Sequence, residues 1–96
     1  VYVIAPGMML QLNQGRLQLT PKPSAGLSLP IDAFFESLAR EIGPRAIGVV
    51  LSGTGSDGTQ GVVALDAAGA WVLAQEPASA RFDGMPRSAI ATGVVD

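Results

Sequence analysis

The chain contains no histidine and no cysteine. Without histidine it lacks the commonest general base and the commonest metal ligand of proteins. Without cysteine it forms no disulfide and no thiolate zinc site, which fits a reducing compartment. Charged residues fill only 15% of the 96 positions, and the formal net charge is −2 with no basic cluster. That balance argues against a nucleic-acid surface. No apolar run approaches the length of a membrane-spanning helix, and neither a signal peptide nor an initiator methionine opens the sequence. Hydrophobic residues make up 48% of the chain, a high share where the surface-to-volume ratio demands many polar groups. Oligomerisation would account for it. So would membership of a larger domain whose other part covers the apolar faces. The opening Val1-Tyr2-Val3-Ile4 reads as the inside of a buried strand and favours the second explanation.

Apolar spacing and turn residues predict the elements in order. After Pro6-Gly7, Met8–Leu12 and Arg16–Leu19 flank Asn13-Gln14-Gly15 as a β-hairpin, with Gly15 at positive φ. Residues 20–30 hold three prolines and read as an extended loop. Ile31, Phe34, Phe35, Leu38 and Ile42 fall on one face of a helix over 31–42, stopped by Gly43-Pro44. Asp32 is its first-turn dipole partner. Ala46–Leu51 is apolar on both faces, as a strand in the middle of a parallel sheet would be. A helix over 59–68 follows, then a strand over 70–74, a loop over 76–84, a helix over 86–91 and a last strand at Val94-Val95. The order β-α-β-α-β builds a parallel sheet. Trp71 is expected in core or subunit packing, and Arg81 with Asp83 as a surface pair.

Gly53-Thr54-Gly55-Ser56-Asp57-Gly58 joins the central strand to its helix, where α/β enzymes place their chemistry. It supports three readings. As plain structure, Ser56 or Asp57 caps the helix and the glycines supply positive φ. As G-x-G-x-x-G, with Glu76 after the next strand, it holds a dinucleotide, although Asp57 would face the pyrophosphate. As a catalytic turn, it presents Asp57 at a strand end to orient an imidazole, which this chain does not contain.

Ala46–Gly58 resembles the late strand and loop of the chemotaxis protein-glutamate methylesterases, the CheB family. Further anchors follow in order: Val3-Ile4-Ala5-Pro6-Gly7, Gly15-Arg16-Leu17, Leu29–Phe35, Gly69-Ala70-Trp71, Ala74-Gln75 and Asp83–Ile90. The resemblance implies that residues 1–96 form the C-terminal part of a methylesterase domain. It implies a doubly wound, mostly parallel α/β sheet with a β-hairpin, Rossmann-like and three-layered. The implied activity is hydrolysis of glutamyl methyl esters, with glutamine deamidation in some members, on methyl-accepting chemotaxis receptors in the cytoplasm. The implied machinery is a Ser-His-Asp triad with no cofactor and no metal. Asp57 matches the triad acid, while the family's Ser and His lie upstream of the matching segment, so the isolated chain is expected to be inactive. Gly53, Thr54 and Gly55 match the loop that shapes the oxyanion region. Met85 and Arg87 are candidate substrate-cleft residues: Met85 either lines the cleft or packs against the sheet, and Arg87 either holds the receptor's acidic helix surface or stands solvated near a helix start. Stand-alone family members often carry Met at the position of Thr54. Thr54, Ser56 and Phe82–Ser88 look more like modules fused to methyltransferase and sensor domains, so a fused methyltransferase or a regulatory receiver domain is an implied neighbour. A nucleotide-binding enzyme and a non-catalytic interaction module are the alternatives.

Overall fold

The structure is a computed structural model that describes residues 1–24, 26 and 28–96. Part of the loop expected over 20–30 therefore lies outside the described residues. Strands β1 (Met8–Asn13) and β2 (Arg16–Pro21) form an antiparallel hairpin. Its two turn residues, Gln14 and Gly15, have φ of 51° and 75°. Positive φ at both central positions is the type I′ pattern that matches the strands' twist.

Helix α1 (Pro30–Glu41) starts on a proline whose fixed φ suits the first turn, with Asp32 early and Arg40 late. Its apolar face brings Phe35 into the core. A short 3₁₀ turn over Gly43–Arg45 ends it. Strand β3 (Ile47–Val50) then pairs in parallel with β4 (Trp71–Ala74), Ile47 opposite Trp71 and Val49 opposite Leu73. Helix α2 (Thr59–Ala67) connects them, and α3 (Gly84–Ala91) follows a 3₁₀ turn over Pro77–Ser79.

The core lies between the inner face of β3–β4 and the helices. Val50, Val62, Leu65, Val72 and Ala89 are buried there. Leu65 is fully buried, a contribution of about 1.5–3 kcal/mol. Gly48 lets α2 approach the sheet, because a Cβ there would stand 2.5 Å from Leu65 Cδ1.

Three expectations are corrected among the described residues. Val1–Ile4 is not a buried strand: Val1, Tyr2 and Val3 are exposed, and no described strand offers them a ladder. Val94-Val95 forms no strand either. Instead Asp96 closes on β4, its N–H donating to Val72 C=O at 2.8 Å and its Oδ2 accepting from Val72 N–H at 2.9 Å. β3 does not sit between two strands among the described residues; it pairs with β4 alone. Its outer face is open, with Ile47 61% and Trp71 60% exposed beside Val49 and Leu73. Trp71 is thus outside this chain's core. What stands is an α/β fold with a hairpin and one parallel strand pair.

Candidate active site

The loop from Leu51 to Gly58 leaves β3 and is tied down from two sides. Ser52 N–H donates to Gln75 Oε1 at 2.8 Å, beyond the end of β4. Gly53 N–H donates to Phe82 C=O at 2.8 Å, and Met85 N–H donates back to Gly53 C=O at 3.0 Å. Phe82 N–H also donates to Ser52 Oγ at 2.9 Å. The start of α3 is thereby laid against residues 52–55. Gly53 lets Met85 lie close against the loop, since a Cβ would come within 2.6 Å of Met85 Sδ. Gly58 is required twice over: its φ is +94°, and a Cβ would meet Ile31 Cγ2 at 3.1 Å.

Asp57 turns its carboxylate away from its own helix. Oδ2 accepts from Ile31 N–H at 2.9 Å, and Oδ1 accepts from Asp32 N–H at 2.9 Å. Gly58 N–H donates to Oδ1 as well, at 2.9 Å. The first two donors are orphan amides of the first turn of α1, so Asp57 caps α1 from a remote segment. Neither Ser56 nor Asp57 caps α2 through its side chain in the local way that the structural reading expects; Gly58 occupies that cap position. Thr59 N–H and Oγ1 both donate to Ser56 C=O instead.

Asp32 was not legible as more than a dipole partner. It is buried, and its Oδ1 accepts from Gly61 N–H, in the first turn of α2, at 2.8 Å. The two helix starts are therefore cross-capped: Asp57 holds amides of α1, and Asp32 holds an amide of α2. The approach is possible because residue 61 is glycine; a Cβ would lie 2.6 Å from Phe35 Cβ. The acidic residue in the first turn of α1 was the only sequence signal, and nothing local pointed to a partner 29 residues away.

An apolar groove of about 410 Å³ opens beside this region, lined by Tyr2, Ile4, Leu10, Phe34, Val50 and Met85 among others. Met85 thus lines a groove and packs on Gly53. Arg87 is not among the lining residues. It is exposed and pairs with Asp83 at 2.6 Å, one helical turn earlier. That hydrogen bond from the Arg87 guanidinium holds the Asp83 carboxyl below its ordinary value. The expected Arg81–Asp83 pair does not form; Arg81 lies over the Phe82 ring at 5.4 Å. Thr54 and Gly55 are exposed at the loop's tip, away from the groove lining.

Several amides of this loop and of the helix start after it are already used within the chain. Gly53, Gly58, Thr59 and Gly61 donate to Phe82, Asp57, Ser56 and Asp32 respectively. A dinucleotide loop must leave such groups pointing at the ligand. Among the described residues no three acidic side chains gather as a metal site would require.

Comparison with known proteins agrees on one family. The profile described as CheB methylesterase matches residues 1–96. A Rhodobacter capsulatus protein described as "Uncharacterized 104.1 kDa protein in hypE 3'region" is 59% identical over 96 residues, all of this chain and 10% of that protein. An Escherichia coli protein named protein-glutamate methylesterase/protein-glutamine glutaminase is 49% identical over 98 residues, 96% of this chain and 28% of its own length. The crystal structure of the Thermotoga maritima CheB methylesterase catalytic domain superposes with a TM-score of 0.76 at 27% identity, covering 93% of this chain and 49% of that one. The chain thus spans about half of that catalytic domain and less than a third of these curated relatives. A profile match over the whole chain, with the fold to go with it, places this chain in the CheB methylesterase family.

Proposed function

We propose that residues 1–96 are the C-terminal part of a methylesterase domain that hydrolyses glutamyl methyl esters on chemotaxis receptors, from the cytoplasmic side, and that Asp57 is the acid of its Ser-His-Asp triad. The family match over residues 1–96 carries this reading. The relatives named for both methylesterase and glutaminase extend it to glutamine side chains. The placement of Asp57 supports it: a half-buried carboxylate just beyond a β-strand's C-terminal end, fixed by backbone N–H groups. The open outer face of β3–β4 and the chain's 49% share of the solved domain support its being one part of a larger fold.

In the complete domain, Ser and His come from outside this chain, which has no histidine. Asp57 accepts the imidazole N–H, fixes the tautomer and stabilises the imidazolium. The serine oxygen attacks the ester carbonyl as its proton passes to the imidazole. The imidazolium returns that proton to the departing methanol, and water then hydrolyses the acyl-enzyme to the free glutamate. Gly53 N–H is bound to Phe82 C=O, so the oxyanion role in this loop falls to the Thr54 or Gly55 N–H. A side-chain change at residue 54 leaves a backbone donor in place. Met85 walls the cleft through its contact with Gly53. Arg87 reaches substrate only by leaving Asp83. Receiver or methyltransferase domains elsewhere in the parent polypeptide belong to the same proposal.

Asp57→Asn in the complete domain tests it. Methanol release from methylated receptor should fall by about 10⁴-fold in kcat, the loss seen when a triad acid can no longer set the tautomer. Near-normal turnover would remove Asp57 from the mechanism.

A further inference from the structure

We propose that Asp32 is a positioning residue that aims Asp57, an inference that rests on the triad role given to Asp57 above. Asp32 is 5% exposed, and its carboxylate accepts Gly61 N–H at 2.8 Å. Its own N–H donates to Asp57 Oδ1 at 2.9 Å. Gly61 lies four residues after Asp57 on the same loop and helix start. The two bonds therefore close a ring: Asp57 to the amide of Asp32, along that residue to its carboxylate, on to the amide of Gly61, and back down the chain to Asp57.

The ring makes the orientation of the Asp57 carboxylate depend on Asp32. A carboxylate offers about four acceptor positions. Asp57 Oδ1 receives two N–H groups, from Asp32 and Gly58, and Oδ2 receives one, from Ile31. One direction on Oδ2 is left for an incoming imidazole N–H. That direction is set by where the first turn of α1 sits relative to residue 57. Gly58 N–H is local and moves with the loop. Ile31 and Asp32 move with α1, and the grip of Asp32 on Gly61 locks α1 to the chain that carries Asp57. Releasing that grip lets the α1 amides slide, and the open direction on Oδ2 swings with them. Misplacement of a reacting group by about 1 Å costs about 10²-fold in rate.

The test uses the complete methylesterase domain with methylated receptor, and kcat is counted per folded molecule from circular dichroism. Asp32→Ala should lower kcat by about 10- to 100-fold with KM within about twofold, because positioning and not binding is lost. Asp32→Asn still presents an oxygen to Gly61 N–H and should keep kcat within about threefold, whether or not the alanine variant folds. In an Asp57→Asn background, Asp32→Ala should change kcat little further, since groups that act as a unit are not additive. Asp32→Ala with wild-type kcat per folded molecule overturns the inference. So does an equal fold-loss with and without Asp57, and so does an Asp32→Asn variant as slow as Asp57→Asn. If Asp57→Asn alone turns over normally, the triad assignment fails and this inference falls with it. An inactive Asp57→Asn beside a fully active Asp32→Ala sinks only the positioning role.

Discussion

Gly61→Ala probes the cross-capped helix starts through stability. Gly61 is buried in the first turn of α2. Helix propensity alone favours alanine there by about 1 kcal/mol. Packing opposes it. An added Cβ would stand 2.6 Å from Phe35 Cβ, 3.1 Å from Phe35 Cδ2 and 3.2 Å from Asp32 Cα. Non-bonded carbons settle at roughly 3.5–4.0 Å, so a gap of about 1 Å has to open. Rotating Phe35 relieves only the contact with Cδ2. Its Cβ and the Asp32 Cα move only if α1 moves, and such overpacking costs about 1–3 kcal/mol. Separating the helices also lengthens the 2.8 Å bond from Gly61 N–H to Asp32 Oδ1. A buried acceptor that loses its donor adds about 1–3 kcal/mol. Set against the gain in propensity, the net loss should be about 1–5 kcal/mol. Urea unfolding of the complete domain should show it as a lower midpoint at unchanged slope. Gly53→Ala is the control. Its Cβ would meet Met85 Sδ at 2.6 Å, but a flexible thioether swings aside, so the loss should stay below about 1 kcal/mol. A Gly61→Ala domain as stable as the wild type would refute the close-approach argument.

Three further outcomes follow from particular contacts. Gln14 holds φ of 51° at the hairpin turn; Gln14→Val should destabilise the domain by about 1–2 kcal/mol, Gln14→Asn should not, and equal denaturation midpoints for the two would contradict the turn. The Asp83 carboxyl is held below its ordinary value by Arg87, so what the pair contributes is present above the ordinary carboxylate value and is lost as pH falls through the lowered one. In Arg87→Gln the NMR titration of Asp83 should move up to the ordinary range, and an unmoved midpoint would mean the pair does not form in solution. The isolated 96-residue chain, which has no histidine, should release no methanol from methylated receptor, and measurable release would show that the triad is not the route.

Local signals carried far in this sequence, and they failed where an element needs a partner. The apolar spacing of Ile31, Phe34, Phe35 and Leu38 located α1, since helix hydrogen bonds close within the segment. Gly15 marked the hairpin because positive φ is a one-residue demand. Val1–Ile4 has strand composition, but a strand exists only with a ladder beside it, and the described residues supply none. At Val94-Val95 the side chain and amide of Asp96 take the Val72 positions a ladder would use. Asp83 pairs with Arg87 and not Arg81 because α3 places residues four apart on one face. β3 reads as apolar on both sides, yet only Gly48 and Val50 are covered, while Ile47 and Val49 are open. Covered and open residues alternate along β3, the pattern of a strand packed on one face.

The glycine spelling shows why the same letters supported unlike readings. In a dinucleotide loop the glycines exist so that free amides reach a pyrophosphate. Here each meets a demand inside the protein. Gly53 makes room for Met85, Gly55 takes φ of +85°, and Gly58 takes φ of +94° against Ile31. Gly61, outside the fingerprint, admits Phe35 and donates to Asp32. A motif of spacings cannot distinguish an amide that is offered from one that is already bound. The distinguishing residue is Asp57, because a carboxylate in this loop needs donors of its own, and α1 supplies two of them. A pyrophosphate in such a loop sits at the start of the helix that follows it, here α2. Asp57 takes its donors from α1 and Gly58, and the Asp32 carboxylate holds the Gly61 amide at the start of α2, where such an anion would sit.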